Sequence, residues 1–208
     1  MKIYDFKGFP NPTRVRIALA EKRLSHRVEF VSINLPEGEH KRPSFLAKNP
    51  FGLVPVLELE DGTTIAECTA ITEYLDHIDG EPILTGKTVR DRALIHMMQR
   101  RVEASLFEAV VAYYHHATPG LGPEIELYQN REWGEKSLER AKHCMEYLDG
   151  VLATQPYLAG NQFSVADITA FVGITFAASL DTRVPSTCSS LRAWQDRIAG
   201  RPSINAVA

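Results

Sequence analysis

The sequence predicts two successive structural units, a small α/β domain followed by an all-helical domain. In the first 80 residues, short strand-like apolar runs alternate with amphipathic helical patterns. A segment containing glycine and proline, residues 81–88, then interrupts both patterns. From Val89 onward the apolar residues recur only at helical spacing. We therefore predict an α/β domain at 1–80, a linker at 81–88 and a helical bundle at 89–208.

The chain begins with a predicted strand and helix. Lys2–Phe6 is a strand-like run, which Gly8, Pro10 and Pro12 interrupt. Helical spacing starts after these breaks, with Asn11 predicted as the N-cap and Pro12 as the first helical residue.

Five further elements complete the first domain. In order, they are a strand, a short helix or irregular segment, two strands joined by an Asp-Gly turn, and a helix: Val28–Leu35, Arg42–Lys48, Val54–Glu60, Thr63–Ala66 and Thr69–Ile78. The resulting order, β-α-β-α-β-β-α, is that of the thioredoxin fold.

The second domain is predicted to consist of helices alone. The predicted helices are Val89–Tyr114, Glu132–Ala153, Val165–Leu180 and Ser190–Gly200. Ser164 and Asp167 have the spacing of a capping box in front of the third of these helices. We therefore assign Asp167 a structural role and exclude it from catalysis.

Composition excludes several classes of function. The formal net charge is −3 and no basic face is evident, so a nucleic-acid partner is not expected. The longest apolar stretch is too short to span a bilayer, and the N-terminal MKIYDF lacks the apolar core of a signal peptide. The cysteines are odd in number, far apart and without zinc-like spacing: Cys68, Cys144 and Cys188. A reducing, cytoplasmic compartment without a bound metal is the expectation.

Four motifs in register resemble the soluble glutathione transferases. Asn49–Leu57 and Ile65–Ile71 resemble the glutathione-binding core of that family. Gly38–Lys41 resembles the lid segment of its phi and theta-like classes, and Phe163–Asp167 resembles the helix-start motif of its C-terminal domain. The resemblance spans almost the whole chain. It implies a thioredoxin-like domain that binds glutathione, and a helical domain that holds a hydrophobic electrophile.

Three further segments resemble an atypical fungal and bacterial subgroup of the family. They are Ala66–Leu75, His115–Gly122 and Glu126–Asn130. This subgroup carries a small residue where other classes place a catalytic Tyr, Ser or Cys, and it activates the thiol with a helix N-terminus and a held water. Gly8 fits that small-residue position, although the residue taken in isolation favours a simple turn glycine.

Asn11 and His115 complete the predicted catalytic set. The resemblance implies that Asn11 donates a side-chain N–H to sulfur, but a plain N-cap role is an equal alternative. His115 would polarise a water near the sulfur. Residue type alone favours two surface histidines, His115 and His116, at a helix C-terminus, where their charge is favourable.

The predicted glutathione contacts lie in three places. Val54 and the following Pro55, which is cis in the family, would pair with the cysteinyl backbone like an added strand. The start of the helix at Glu67 and Cys68 would hold the γ-glutamyl group, with Cys68 where the family usually has serine. His40 and Lys41 would bind the glycyl carboxylate, although they also fit a solvated polar run.

The electrophile pocket is predicted from apolar and aromatic side chains. Phe9, Phe107 and Tyr114 are the candidates, and a plain core stripe is an equal alternative for the last two.

Function and assembly follow from the same resemblance. We expect a detoxifying glutathione transferase without a cofactor, with glutathione as co-substrate. The alternatives are a glutathione-dependent reductase or peroxidase, and a non-catalytic glutathione-binding interaction module. A homodimer is expected, buried along the starts of the two long helices. The first of them carries residue types that are enriched at interfaces, although a solvated face and a core stripe explain them equally well: Arg90, Arg92, Met97, Met98, Arg100 and Arg101.

Overall fold

A computed structural model describes residues 1–207. Its N-terminal domain is built on four strands: β1 (Lys2–Asp5), β2 (Glu29–Ser32), β3 (Val56–Glu58) and β4 (Thr64–Ala66). The sheet order is β2-β1-β3-β4, with β1 parallel to β2 and the other pairs antiparallel. The predicted thioredoxin-like fold is confirmed.

The helices of this domain are α1 (Pro10–Glu21), α2 (Pro43–Leu46) and α3 (Cys68–His77), with single 3₁₀ turns at Ser25–Arg27 and Glu39–Lys41. The prediction of Asn11 as the N-cap of α1 is wrong, because the helix begins at Pro10 and Phe9 is the cap. Gly8, at φ 87°, turns the chain before that point, and proline suits the first helical position.

The C-terminal domain is helical, as predicted. Its helices are α4 (Val89–Val102), α5 (Glu108–Ala117), α6 (Arg131–Leu152), α7 (Val165–Ser179), α8 (Ser189–Ala199) and α9 (Pro202–Asn205). The first predicted helix is longer than expected and is not α-helical throughout. A π-helical turn, Glu103–Phe107, joins α4 to α5.

The two domains share helix α1. Val15 and Leu19 pack into the sheet-domain core, while Ile17 and Ala18 pack into the core of the helical domain. The linker is fixed by buried Asp76, whose carboxylate accepts the backbone N–H groups of residues 83, 84 and 85. The packing of α1 into both cores and the hydrogen bonds of Asp76 to the linker therefore fix the two domains against each other.

Asp167 has the structural role predicted for it. Its carboxylate accepts from the Ser164 backbone N–H at 3.0 Å and from the Trp194 indole at 3.1 Å. Burial raises the pKa of this carboxyl group, although these hydrogen bonds oppose the shift.

No helix in the described part of the chain is both long and apolar enough to cross a membrane.

Candidate functional site

A cavity of about 400 Å³ lies between the two domains, and we call it the main cavity because most of the predicted site residues line it. A wider cavity of about 570 Å³ lies between α3 and α4. The sheet domain contributes one side of the main cavity, here called the sheet-domain wall: Gly8, Phe9, Pro10, Asn11, Pro12, Thr13, Leu35, His40, Gly52, Leu53 and Val54. The other side, the helical wall, consists of Phe107, Val111, Tyr114, His115, Leu121, Phe171, Val172, Thr175, Phe176 and Ser179. The structure thus brings most of the predicted site residues to one cavity.

A smaller cavity of about 100 Å³ adjoins the main cavity and is more polar. The two share Asn11, Leu53, Val54 and Phe107. Four of the smaller cavity's other lining residues are charged: Arg14, Glu67, Glu103 and Glu108. The remaining ones are Asn49, Pro55 and Cys68. The cleft therefore has a polar end and an apolar end, and Asn11 lies where they meet.

The start of α1 offers fewer backbone donors than a helix start usually does. Pro10 and Pro12 have no N–H, and the N–H of Thr13 donates to the carbonyl of Phe9 at 3.0 Å. Of the first helical turn, the Asn11 N–H alone remains without a backbone partner in the described residues. A ligand at this helix start receives one main-chain hydrogen bond.

The Asn11 side chain lies against two protein donors. Its Oδ1 accepts from Nη1 of Arg14 at 3.0 Å. The thiol of Cys68 is 3.4 Å from both this Oδ1 and the Asn11 carbonyl oxygen. Burial raises the pKa of Cys68 to about 11, so this thiol stays protonated at neutral pH.

The segment before β3 is shaped by its own hydrogen bonds. Asn49 is buried; its Nδ2 donates to the Leu53 carbonyl at 2.9 Å and its Oδ1 accepts from the Phe51 N–H. Gly52 adopts φ 59°, and a Cβ there would lie 2.8 Å from the His40 carbonyl oxygen. The Val54–Pro55 peptide bond is cis. Val54, the residue before this bond, is part of the cavity lining at the entry to the strand.

The start of α3 presents free backbone donors to the polar end. Glu67 precedes the helix at φ 70°, and its carbonyl accepts the N–H of Ile71. The three N–H groups before Ile71, those of residues 68–70, have no protein partner in the described residues. Such a helix start suits a carboxylate.

His40 and Lys41 are placed differently. His40 is 4% exposed and lines the main cavity, and its Nδ1 has no hydrogen-bond partner in the described structure. Burial, with the nearby Lys41 charge, holds its pKa below the ordinary value. Lys41 lines neither cavity; its Nζ donates to the Gly52 carbonyl at 3.2 Å.

His115 is paired with a carboxylate. Its Nδ1 is 2.6 Å from Oε1 of Glu126, which also accepts the Leu121 N–H at 2.9 Å. Because a carboxylate only accepts, the proton of a neutral imidazole lies on Nδ1, leaving Nε2 as an acceptor. His116 lines neither cavity and accepts the Asn130 N–H through its own Nδ1.

The helical wall follows helical spacing on two helices. Phe107, Val111, Tyr114 and His115 recur along one face of the π turn and α5, and a similar row follows α7. The Tyr114 and Phe176 rings meet edge to face with centroids 5.4 Å apart. Burial raises the pKa of the Tyr114 phenol, so it stays neutral.

The sequence analysis assigned no site role to four residues that the structure places at the cleft or beside its side chains: Arg14, Asn49, Glu103 and Glu126. Arg14 and Glu103 form an ion pair at 2.6 Å, with Arg14 4% exposed. The Asn11-to-Arg14 spacing was a usable signal, because residues three apart on a helix are neighbours. Nothing in the sequence pairs Glu103 with Arg14, from which it is separated by 89 positions.

No cluster of three or more His, Cys, Asp or Glu side chains suited to a metal ion occurs within residues 1–207.

Comparison with known proteins assigns the family. Residues 10–78 match the family described as glutathione S-transferase, N-terminal domain, and residues 99–202 match the corresponding C-terminal domain. Glutathione S-transferase 2 of Saccharomyces cerevisiae is 58% identical over 98% of this chain and 88% of its own.

Two solved structures are also similar over nearly the whole chain. The crystal structure of Gtt2 from Saccharomyces cerevisiae superposes with a TM-score of 0.98, at 57% identity and full coverage of both chains. A glutathione S-transferase domain-containing protein from Marinobacter aquaeolei gives a TM-score of 0.96, at 53% identity over 98% of this chain and 100% of that one. The chain belongs to the glutathione S-transferase family.

Proposed function

We propose that this protein transfers glutathione to a hydrophobic electrophile by forming the thiolate where the polar and apolar ends of the cleft meet. The observation that carries this proposal is the position of Asn11, which lines both cavities between a charged end and an aromatic end. Glutathione is the co-substrate, and no further cofactor is required for this chemistry.

The polar end suits the γ-glutamyl group. The free N–H groups at the start of α3 would receive its carboxylate. Its ammonium would lie among Glu67, Glu103 and Glu108, which line the same cavity. Cys68 contributes its backbone here, since its thiol is directed at Asn11.

The glycyl carboxylate would bind at His40. The unpartnered, buried Nδ1 of His40 is a polar atom that a ligand would satisfy. Lys41 would act at longer range, because its ammonium group is engaged by backbone carbonyls. The cysteinyl backbone between the two ends would pair with Val54.

Thiol activation is assigned to Asn11, the start of α1 and His115. A free thiol has a pKa of about 8.5. The site must therefore stabilise the thiolate by about 1.4 kcal/mol for each unit by which it lowers this pKa. His115 would hold a water through Nε2. This water would take the thiol proton and pass one of its own protons to Nε2. The thiolate sulfur then bonds to the electrophilic carbon, and the leaving group departs with its electron pair.

Three finer assignments belong to the same proposal. Membership of the atypical subgroup is supported by Gly8 in the small-residue position and by the absence of Tyr, Ser and Cys from 6–13. The apolar helical wall supports a detoxifying role, and the free cysteines support a reducing, cytoplasmic compartment. A reductase or peroxidase is not favoured, since this loop holds no cysteine.

A homodimer along α4 is also proposed. Val89 and Met97 on this helix, and Phe51 beside the cleft, are exposed apolar side chains, with Phe51 75% exposed. Met98, which was included among the expected interface residues, lies in the helical core instead. Light scattering on the purified protein tests the assembly, and a 23.3 kDa particle that binds glutathione normally would refute it.

Two measurements test the activity. The protein should bind immobilised glutathione, and it should accelerate conjugation across a panel of apolar electrophiles. Binding without conjugation of any electrophile would favour the interaction-module alternative, and peroxide reduction alone would favour the peroxidase.

A further inference from the structure

A buried arginine lies beneath the cleft, and the function proposed above does not use it. Arg14 is on α1, three residues after Asn11, and lines the polar cavity. Its guanidinium is 4.7 Å from the centroid of the Phe107 ring, and its Nη2 is 2.6 Å from Glu103 Oε1. Glu103 neutralises the arginine, so the cation is stable in this place before any substrate binds.

Arg14 determines which atom of the Asn11 amide faces the protein. A guanidinium has donors only, so the atom 3.0 Å from Nη1 must be the amide oxygen. The Cys68 thiol is a second donor, 3.4 Å from this oxygen and 3.4 Å from the Asn11 backbone carbonyl oxygen. With Oδ1 directed at these two groups, Nδ2 points away from them, and it has no protein acceptor in the described residues.

The direction of the amide decides its effect on an anion. An amide nitrogen donates to a thiolate and stabilises it, whereas the oxygen of a reversed amide would repel it. Two prolines leave α1 with one free N–H at its start. The amide nitrogen would therefore supply the donors that this helix start lacks.

We propose that Arg14 and Cys68 are positioning residues that hold the Asn11 amide with its nitrogen toward the glutathione sulfur. The inference rests on the proposed function and deepens its thiol-activation step. It also assigns Cys68 a different role from a serine that contacts glutathione, since its S–H proton is directed at Asn11. The raised pKa of Cys68 makes this thiol a permanent donor rather than a reactive thiolate.

The test is a titration of bound glutathione followed by thiolate absorbance, with enzyme in excess. In Asn11→Asp a carboxylate keeps the Arg14 contact but presents oxygen to the sulfur. The ionisation midpoint should then rise by about one pH unit or more, equivalent to tenfold less thiolate. Arg14→Lys should raise the midpoint by a similar amount, because a single ammonium cannot hold both Glu103 and Asn11 in a fixed fork.

The Cys68 variants separate positioning from substrate binding. Cys68→Ala should lower kcat about threefold at neutral pH with little change in the glutathione KM, and Cys68→Ser should restore kcat by supplying a hydroxyl donor. Cys144→Ala is the matched control, since Cys144 is also buried but lies in the helical core. A Cys68→Ala variant that changes only KM would assign the thiol to glutathione and refute its positioning role.

The outcomes distinguish this inference from the proposed function. A wild-type midpoint equal to that of free glutathione would refute both thiol activation and the positioning of Asn11. A lowered wild-type midpoint that persists in Asn11→Asp, or in both Arg14→Lys and Cys68→Ala, would refute the positioning alone. If Arg14→Lys does not fold, the Asn11 and Cys68 variants decide the matter.

Discussion

The two walls of the cleft are built by different means. The sheet-domain wall is formed by turns and helix starts: Gly8, Gly52, the cis Val54–Pro55 bond and the first turn of α1. The helical wall is formed by side chains on regular faces of α5 and α7. The first wall thus offers fixed backbone groups that suit one constant ligand. The second offers replaceable apolar surface that suits variable ones.

The largest expected effect tests the backbone character of the sheet-domain wall. Gly52→Ala should lower the free energy of unfolding by about 2–3 kcal/mol, because the new Cβ meets the His40 carbonyl at 2.8 Å in a left-handed conformation. Gly62→Ala is the control. Gly62 also has positive φ, at 86°, but it has open space around it, so we expect about 1 kcal/mol. Equal losses in denaturant titrations would show that the close contact has no cost.

A second prediction concerns the polar group that the helical wall contributes. His115→Ala should lower kcat by about tenfold or more, because the water that His115 holds acts in the proton-transfer step. The glutathione KM should stay nearly unchanged, because this water does not bind the tripeptide. His116→Ala, outside the cavity, should retain wild-type turnover. Full activity in His115→Ala would place the activating group entirely on the sheet-domain wall.

A third prediction separates the ligands of the two walls. Phe176→Leu should raise the KM for a bulky aromatic electrophile about threefold to fivefold, because it removes ring contacts at the apolar end. The KM for glutathione should not change, since Phe176 lies on the helical wall only. Steady-state kinetics with each substrate varied in turn measures both, and a parallel rise in the two constants would contradict the division of the cleft.

The smallest expected effect is a dependence of stability on pH. The pKa of His40 is held low by burial, so below the unfolded-state value of about 6.5 the unfolded chain takes up a proton that the folded protein does not. Stability from this residue is therefore fully present above that pH and declines as the pH falls toward the lowered folded-state value. Denaturant titrations at several pH values should show a shallower decline in His40→Phe than in the wild type. Parallel curves would mean that His40 protonates equally in both states.

Local sequence signals predicted the elements of the fold better than the packing of those elements against one another. The order of elements and the capping box at Ser164 are confirmed, because strand alternation, turn residues and caps act within a few residues. The N-cap of α1 was misplaced by two positions, since an Asn-Pro pair and a Phe-Pro pair offer similar start signals there. Met98 lies in the helical core, in agreement with the core-stripe alternative, and its helical neighbours alone do not show which face meets another helix.

The sequence by itself determined the two-domain architecture, the positions of the turn glycines and prolines, and several of the residues that line the cleft, such as Val54 and His115. Only the tertiary structure decided the direction of the Asn11 amide, the partner of His115 and the neutralisation of Arg14. These depend on contacts such as Asn11 with Cys68, 57 positions apart, and Arg14 with Glu103. No periodicity encodes such pairs, because they form only when the folded chain brings segments that are far apart in sequence within hydrogen-bonding distance.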